Sequence, residues 1–331
     1  MKEAMFYKKE GESLRCNLCA RKCLIAQGNR GYCKVRENME GKLFSLVYGK
    51  ACSLAVDPIE KKPFFHFFPG QQTLSIATVG CNFTCAFCQN SSISQPKEIF
   101  GGDIQPEGIV DMANKKNIKI LSWTYTEPTV FFEYFYETAK IFSGKNTWVT
   151  NGYTTPEAIR KAAPHLSAVN VDYKGSGEFY KKLCSAKIEP VQKALKLYKK
   201  LNIWIEITNL IIPNHNDDKE SIEEMCTWIV KNLGKDVPLH FSRYFPYNKM
   251  SEPITPEETL EKAFEIAKEA GIRYVYMGNI RHEKENTYCH KCQALLVERN
   301  GFILLKSNLK TGKVSRCPSC NTKIPFLVLN K

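Results

Sequence analysis

Leu74-Ser75-Ile76-Ala77-Thr78-Val79-Gly80-Cys81-Asn82-Phe83-Thr84-Cys85-Ala86-Phe87-Cys88-Gln89-Asn90 runs from an apolar stretch straight into three closely spaced cysteines. The apolar part, bounded by Gly80, reads as a buried strand, and the cysteines as the loop that leaves it. Three thiolates so close together can bind three irons of a cubane. Iron–sulfur clusters are normally closed by four cysteines, so a three-cysteine loop leaves one iron open. The competing reading is a zinc knuckle or a buried thiol group.

Working outward, strand-like and helix-like patterns alternate. Strands are expected over 74–79, 118–123, 147–150, 168–172, 203–210, 239–244 and 273–277. Helices are expected over 106–116, 129–142, 156–163, 189–201, 219–233 and 255–270. Several helices open on Pro or on an acidic or hydroxyl first turn, as helix N-termini prefer. Repeated β-α units of this length build a parallel sheet with helices outside. The expected fold is α/β, a partial (β/α)6-type barrel over 71–282. An N-terminal cysteine module and lead-in loop (1–70) precede it, and a zinc-ribbon-like module (283–331) follows.

The chain has 331 residues, of which 43% are hydrophobic, and its mean hydropathy is −0.33. No apolar run is long enough to cross a membrane, and the first ten residues lack the apolar core of a secretion signal. The expected location is the cytoplasm, where thiols stay reduced. The 14 cysteines therefore argue for metal rather than disulfides. All but Cys52, Cys184 and Cys226 fall into three tight groups. These three read as small core residues, with Cys184 placed nearest a polar, site-facing segment. The net charge of +13 is compatible with an RNA partner. The lysines are scattered along the expected helices, which favours an ordinary basic surface.

In parallel α/β folds ligands bind at the C-terminal ends of the strands. The second expected strand ends in Trp123-Thr124-Tyr125-Thr126-Glu127-Pro128. The third ends in Thr150-Asn151-Gly152, and the fourth in Asp172-Tyr173-Lys174-Gly175. The fifth carries Glu206, Thr208 and Asn209 and runs on to Asn214, His215 and Asn216. The last two end in His240-Phe241-Ser242-Arg243-Tyr244-Phe245-Pro246 and Met277-Gly278-Asn279. Each polar residue alone is commonly a cap or turn residue, but their recurrence at successive strand ends marks a site.

Cys289, Cys292, Cys317 and Cys320 form two knuckles separated by a β-like segment, the pattern of a structural zinc ribbon. Iron of the rubredoxin type shares this ligand geometry. Cys16, Cys19, Cys23 and Cys33 are less specific. They could hold zinc, which the spacing favours, or a second iron–sulfur cluster.

The Cys81, Cys85, Cys88 spacing, with Phe87 before the last cysteine, resembles the cluster loop of the radical S-adenosylmethionine (SAM) enzymes. The order of parts adds to this: the four-cysteine head, Asp57-Pro58-Ile59-Glu60-Lys61-Lys62-Pro63, Cys88-Gln89-Asn90, Tyr125-Thr126-Glu127-Pro128 and the paired tail cysteines. Over nearly the whole chain this resembles the AmmeMemoRadiSam-system radical SAM enzymes, relatives of pyruvate formate-lyase activating enzymes. The resemblance implies a [4Fe–4S] cluster on Cys81, Cys85 and Cys88 whose open iron takes SAM. It also implies that SAM is cleaved to a 5′-deoxyadenosyl radical that abstracts hydrogen from a protein or small-molecule substrate. Thr126 and Glu127 stand where the superfamily carries its Gly-Gly-Glu-Pro motif, so Glu127 is expected at the SAM ammonium. Asn151, Asp172 and Lys174 are expected around SAM or substrate. A ferredoxin- or flavodoxin-type reductant and AMMECR1- and MEMO-family partners are implied as well. The alternatives are an RNA-modifying enzyme of the same chemistry and a non-catalytic iron–sulfur redox or scaffold protein.

Overall fold

The computed structural model describes residues 1–310 and 314–327. Its central sheet has eight strands: β1 (Ser53–Pro58), β2 (Gln72–Ala77), β3 (Ile120–Trp123), β4 (Lys145–Thr150), β5 (Ala168–Asp172), β6 (Trp204–Ile211), β7 (Leu239–Arg243) and β8 (Val275–Gly278). Their order in space is their order in the chain. β1 runs antiparallel to β2, and every later neighbouring pair is parallel. Crossovers between parallel strands are right-handed, so this order sends every connecting helix to one face, as in a barrel. Among the described residues β1 and β8 do not pair, and the barrel stays open.

Seven helices make the outer layer: α1 (Pro106–Lys115), α2 (Phe132–Ile141), α3 (Pro156–Ala162), α4 (Gly177–Cys184), α5 (Ile188–Lys200), α6 (Lys219–Leu233) and α7 (Glu257–Glu269). Side chains set several starts: Thr155 accepts from Ala158 N, Ser176 from Phe179 N and Asp218 from Ser221 N. The helix expected from residue 129 starts at Phe132, because Pro128–Phe131 forms a tighter 3-10 turn. α4 was not expected. Its eight residues are too few to show a period, and it stops at Ser185 in the left-handed conformation (φ 52°). β1 is also additional, in the stretch read as part of the lead-in to the barrel.

The N-terminal head consists of two small antiparallel sheets. It packs continuously with the barrel, since Leu14, Leu18, Ile25, Val35, Leu43 and Val47 share one apolar core with the strands and helices. A fully buried ion pair fastens it: Arg36 Nη1 lies 3.0 Å from Glu133 Oε1 on α2. Arg36 Nη2 donates to Met5 O, and Met5 N donates to the same carboxylate.

At the N-terminal end of the barrel the segment Phe64-Phe65-His66-Phe67-Phe68 folds inward. Glu206, near the start of β6, accepts from the backbone N–H groups of Phe65 and His66 (both 2.9 Å) and of Phe67 (3.2 Å). It also takes the His240 ring N–H at 2.8 Å. Three strands of the tail, Thr287–Tyr288, Leu295–Asn300 and Ile303–Ser307, dock on this plug. Arg299 donates to Phe65 O and packs over the Phe65 ring. The tail thus closes the end of the barrel opposite the C-terminal strand ends.

Candidate active site

β2 ends at Ala77, and the chain turns through Gly80 into the cysteine loop. Gly80 has φ +101°, and a Cβ there would stand 2.5 Å from Val35 Cγ1 and 3.0 Å from Cys33 O. Only glycine fits this turn against the head. Beyond it, Cys81, Cys85 and Cys88 are half-buried on one wall of a cavity of about 310 Å³. Phe87 is buried beside them and packs at a tilt against Phe179 of α4, with ring centroids 5.7 Å apart.

The opposite walls come from consecutive strand ends: Thr126 and Glu127 after β3, Asn151 after β4, Asp172 and Lys174 after β5, Thr208 on β6, Ser242 on β7 and Asn279 after β8. All nine residues expected at the cluster and SAM therefore line one cavity. Glu206 and Asn209 do not. Glu206 lies two positions earlier than Thr208 on the same face and belongs to the barrel base, while Asn209 Nδ2 donates to Tyr173 O. His215 pairs with Glu252 at 2.8 Å, and Asn216 holds the backbone at Lys174 and Leu210. Both are loop braces.

The side chains around the loop are tightly referenced to one another. Asn151 Nδ2 donates to Asn82 Oδ1 at 2.7 Å and stands 3.8 Å from Cys81 Sγ. Asn90 Nδ2 donates to Tyr125 O, and the Thr126 hydroxyl donates to Thr78 O. Lys174 Nζ pairs with Asp172 Oδ2 at 2.8 Å. Burial disfavours the Lys174 ammonium, but Asp172 and the Cys85 and Cys184 thiols outweigh it and hold its pKa well above the usual lysine value.

Glu127 faces this cavity with its carboxylate already engaged. Oε1 accepts from Thr129 N (3.0 Å), Thr129 Oγ1 (2.6 Å) and Thr150 Oγ1 (2.7 Å), and Oε2 accepts from Asn151 N (2.8 Å). Burial nevertheless pushes its pKa upward. Its visible work is to fix the start of the next turn and the backbone at Asn151.

Sequence reasoning passed over Lys61, Lys62, Asn90, Ser94 and Tyr125, which also line the cavity. Lys61 Nζ reaches Asp57 Oδ1 at 2.8 Å, and Lys62 Nζ and the Tyr125 hydroxyl both reach Asp57 Oδ2, at 2.8 and 2.6 Å. These contacts hold the Asp57 carboxyl well below its usual range, against its burial. The signal in the sequence is the Asp57–Pro63 segment, which reads there as lead-in loop and as part of the family resemblance. Cys184, flagged for its polar context, ends α4 against the loop. Its thiol pulls the Cys85 thiol down, helped by Lys174 and opposed by burial.

The donor set suits the implied cofactor. Three thiols open onto one cavity, and burial, with the Glu127 carboxylate and the neighbouring thiols, pushes Cys81 up. In the tail, Cys289 and Cys320 Sγ are 3.6 Å apart, as are Cys292 and Cys317 Sγ. All four sulfurs lie within 4.8 Å of one another. Zinc–sulfur bonds of about 2.3 Å at tetrahedral angles require about 3.8 Å between sulfurs, so one ion fits there. No described helix is long and apolar enough to cross a membrane.

A family model described as the Radical SAM superfamily matches residues 75–229. An uncharacterised protein of Methanocaldococcus jannaschii is 48% identical over 99% of this chain and 100% of its own length. A second protein of that organism, named as a candidate glycyl-radical enzyme activating enzyme, is 24% identical over 64% of this chain and 83% of its own. Among solved structures, a radical SAM methyltransferase from Sphaerobacter thermophilus shares the fold, with a TM-score of 0.53 and 15% identity over 65% of this chain and 68% of that one.

Proposed function

Because the chain belongs to the radical SAM superfamily, we propose that it reductively cleaves SAM and uses the resulting radical to take hydrogen from a protein partner or a small molecule. Cys81, Cys85 and Cys88 would hold the [4Fe–4S] cluster. One observation carries this reading: three thiols share a single cavity with the polar ends of five or more consecutive parallel strands. The reduced cluster, when bound, supplies the electron that breaks the SAM sulfonium bond.

The chain's own residues then have separable tasks. Asp172 and Lys174 offer a paired anion and cation, matching the ammonium and carboxylate of an amino acid group. Asn151, whose backbone Glu127 fixes, presents its amide beside Cys81 and steadies the loop through Asn82. Phe87 shields the loop from water. A low-potential ferredoxin or flavodoxin is the expected electron donor. AMMECR1- and MEMO-family proteins are the partners to test first. The similarity to an activating enzyme supports a protein substrate without naming it.

The test is anaerobic incubation with SAM and a strong one-electron reductant, with 5′-deoxyadenosine measured. The native chain should produce it and the Cys88→Ser chain should not. Equal yields would overturn the reading.

A further inference from the structure

Cys16, Cys19, Cys23 and Cys33 line a second cavity, inside the head, together with Arg21, Arg36 and Asn82. We propose that these four thiolates bind a second iron–sulfur cluster rather than zinc, and that it exchanges electrons with the cysteine loop at Cys81.

Sulfur spacing is the first argument, and the chain contains its own standards. In the tail the four sulfurs stand within 4.8 Å of one another, with two pairs at 3.6 Å. Among the described residues, no three of the head cysteines gather this closely, nor do Cys81, Cys85 and Cys88. A single tetrahedral ion draws its ligands to about 3.8 Å. A cubane gives each thiolate its own iron corner and holds the sulfurs farther apart. Like the loop, the head thus lacks the close single-ion gathering that the tail has.

Unsatisfied donors are the second argument. Arg36 is 1% exposed, yet its Nε has no partner, and the buried Nη2 of Arg21 has none either. Both residues line the head cavity. A cluster with four thiolates is anionic, and its sulfurs accept hydrogen bonds. Tyr32 N already donates to Cys23 Sγ at 3.4 Å.

The third argument is contact with the active loop. Gly80, one residue before Cys81, packs against Cys33 so closely that a Cβ would stand 3.0 Å from Cys33 O. Arg21 Nε donates to Asn82 O at 2.8 Å, and the Tyr32 and Thr84 hydroxyls are 2.8 Å apart. Asn82 itself lines the head cavity, while Cys81 beside it lines the SAM cavity. Four thiolates leave no iron open, so the chemistry on offer is electron transfer alone. One electron enters from a low-potential carrier protein and leaves to the loop. No bond forms or breaks.

The experiment uses the full chain with Cys81, Cys85 and Cys88 all changed to Ala, produced with iron and zinc both supplied and purified anaerobically. The expected result is about four irons and about one zinc per chain. A paramagnetic signal should appear on reduction with dithionite. An iron-free variant with about two zincs, or a head free of metal, would overturn the proposal. Should the triple variant not fold, Cys19→Ser with Cys33→Ser in the otherwise native chain gives the same answer. Iron should fall from about eight per chain to about four, and iron content unchanged from the native chain would refute the assignment.

Discussion

Glu127 Oε2 accepts the backbone N–H of Asn151 at 2.8 Å, so a carboxylate at the end of one strand sets the backbone at the end of the next. Its other oxygen is filled by Thr129 and Thr150. The family resemblance implied a carboxylate for the SAM ammonium. The structure shows one that first organises its neighbours.

Glu127→Gln is therefore expected to lower stability as well as SAM affinity. An amide turns one acceptor into a donor that meets N–H and O–H groups already donating. Hydrogen bonds to a charged acceptor contribute about 1.5–3 kcal/mol each, so a loss of roughly 2–3 kcal/mol is expected. Denaturant unfolding measures it. An unchanged midpoint with weakened SAM binding would return Glu127 to a purely ligand-facing role.

Lys174→Met should weaken SAM binding by about tenfold or more, because it removes the cation proposed for the SAM carboxylate and leaves Asp172 unpaired. Iron content should remain near that of the native chain. Equilibrium binding of SAM to the anaerobic protein checks this, and native affinity in the variant would place the SAM carboxylate elsewhere.

Cys317→Ser should remove about one zinc per chain and loosen the tail, since metal binding there is folding free energy. SAM cleavage should persist, because the tail docks at the barrel end away from the cavity. Zinc analysis beside limited proteolysis reads both effects, and retained zinc would argue against the four-sulfur site.

Acid should loosen the plug before it reaches the rest of the barrel. Burial lowers the His66 pKa from 6.5 to about 4, and its ring touches Tyr276 and Pro325. The unfolded chain takes up this proton near pH 6.5, while the folded chain resists until about pH 4. Stability from this group is complete above pH 6.5 and is lost as pH falls through that window, by on the order of a few kcal/mol. Glu206, whose pKa is lowered despite its burial by His240 and His66, adds a loss of the same sign at still lower pH. His66→Phe should flatten the slope of stability between pH 6.5 and 4. An unaltered slope would exclude His66 as its source.

The barrel was legible because each strand is an apolar run that stops abruptly at polar residues. Asn151, Asp172 and Lys174 mark such stops, and the cavity collects them. The head was harder to read. Its strands are two to four residues long, too short for a period, and its apolar residues find partners on distant helices. Glu206 looked like a site residue by position. Whether a strand residue faces the mouth or the base depends on how far along the strand it lies, and an expected boundary is not sharp enough to decide that. Glu127 shows a different limit: local sequence shows a carboxylate but not which donors will surround it. The four head cysteines mark a candidate ligand set, while sequence spacing alone does not say how closely four sulfurs gather in the fold.

The plug also imposes an order of events during synthesis. Phe65, His66 and Phe67 depend on a carboxylate made about 140 residues later. At ribosomal speeds that separation amounts to roughly 7–28 s. Throughout it four phenylalanines, Phe64, Phe65, Phe67 and Phe68, wait without their floor. The ribosome must reach Arg299 before the tail can cover them. The newborn chain therefore carries a sticky aromatic segment for most of its translation, and demand for chaperone holding should concentrate there.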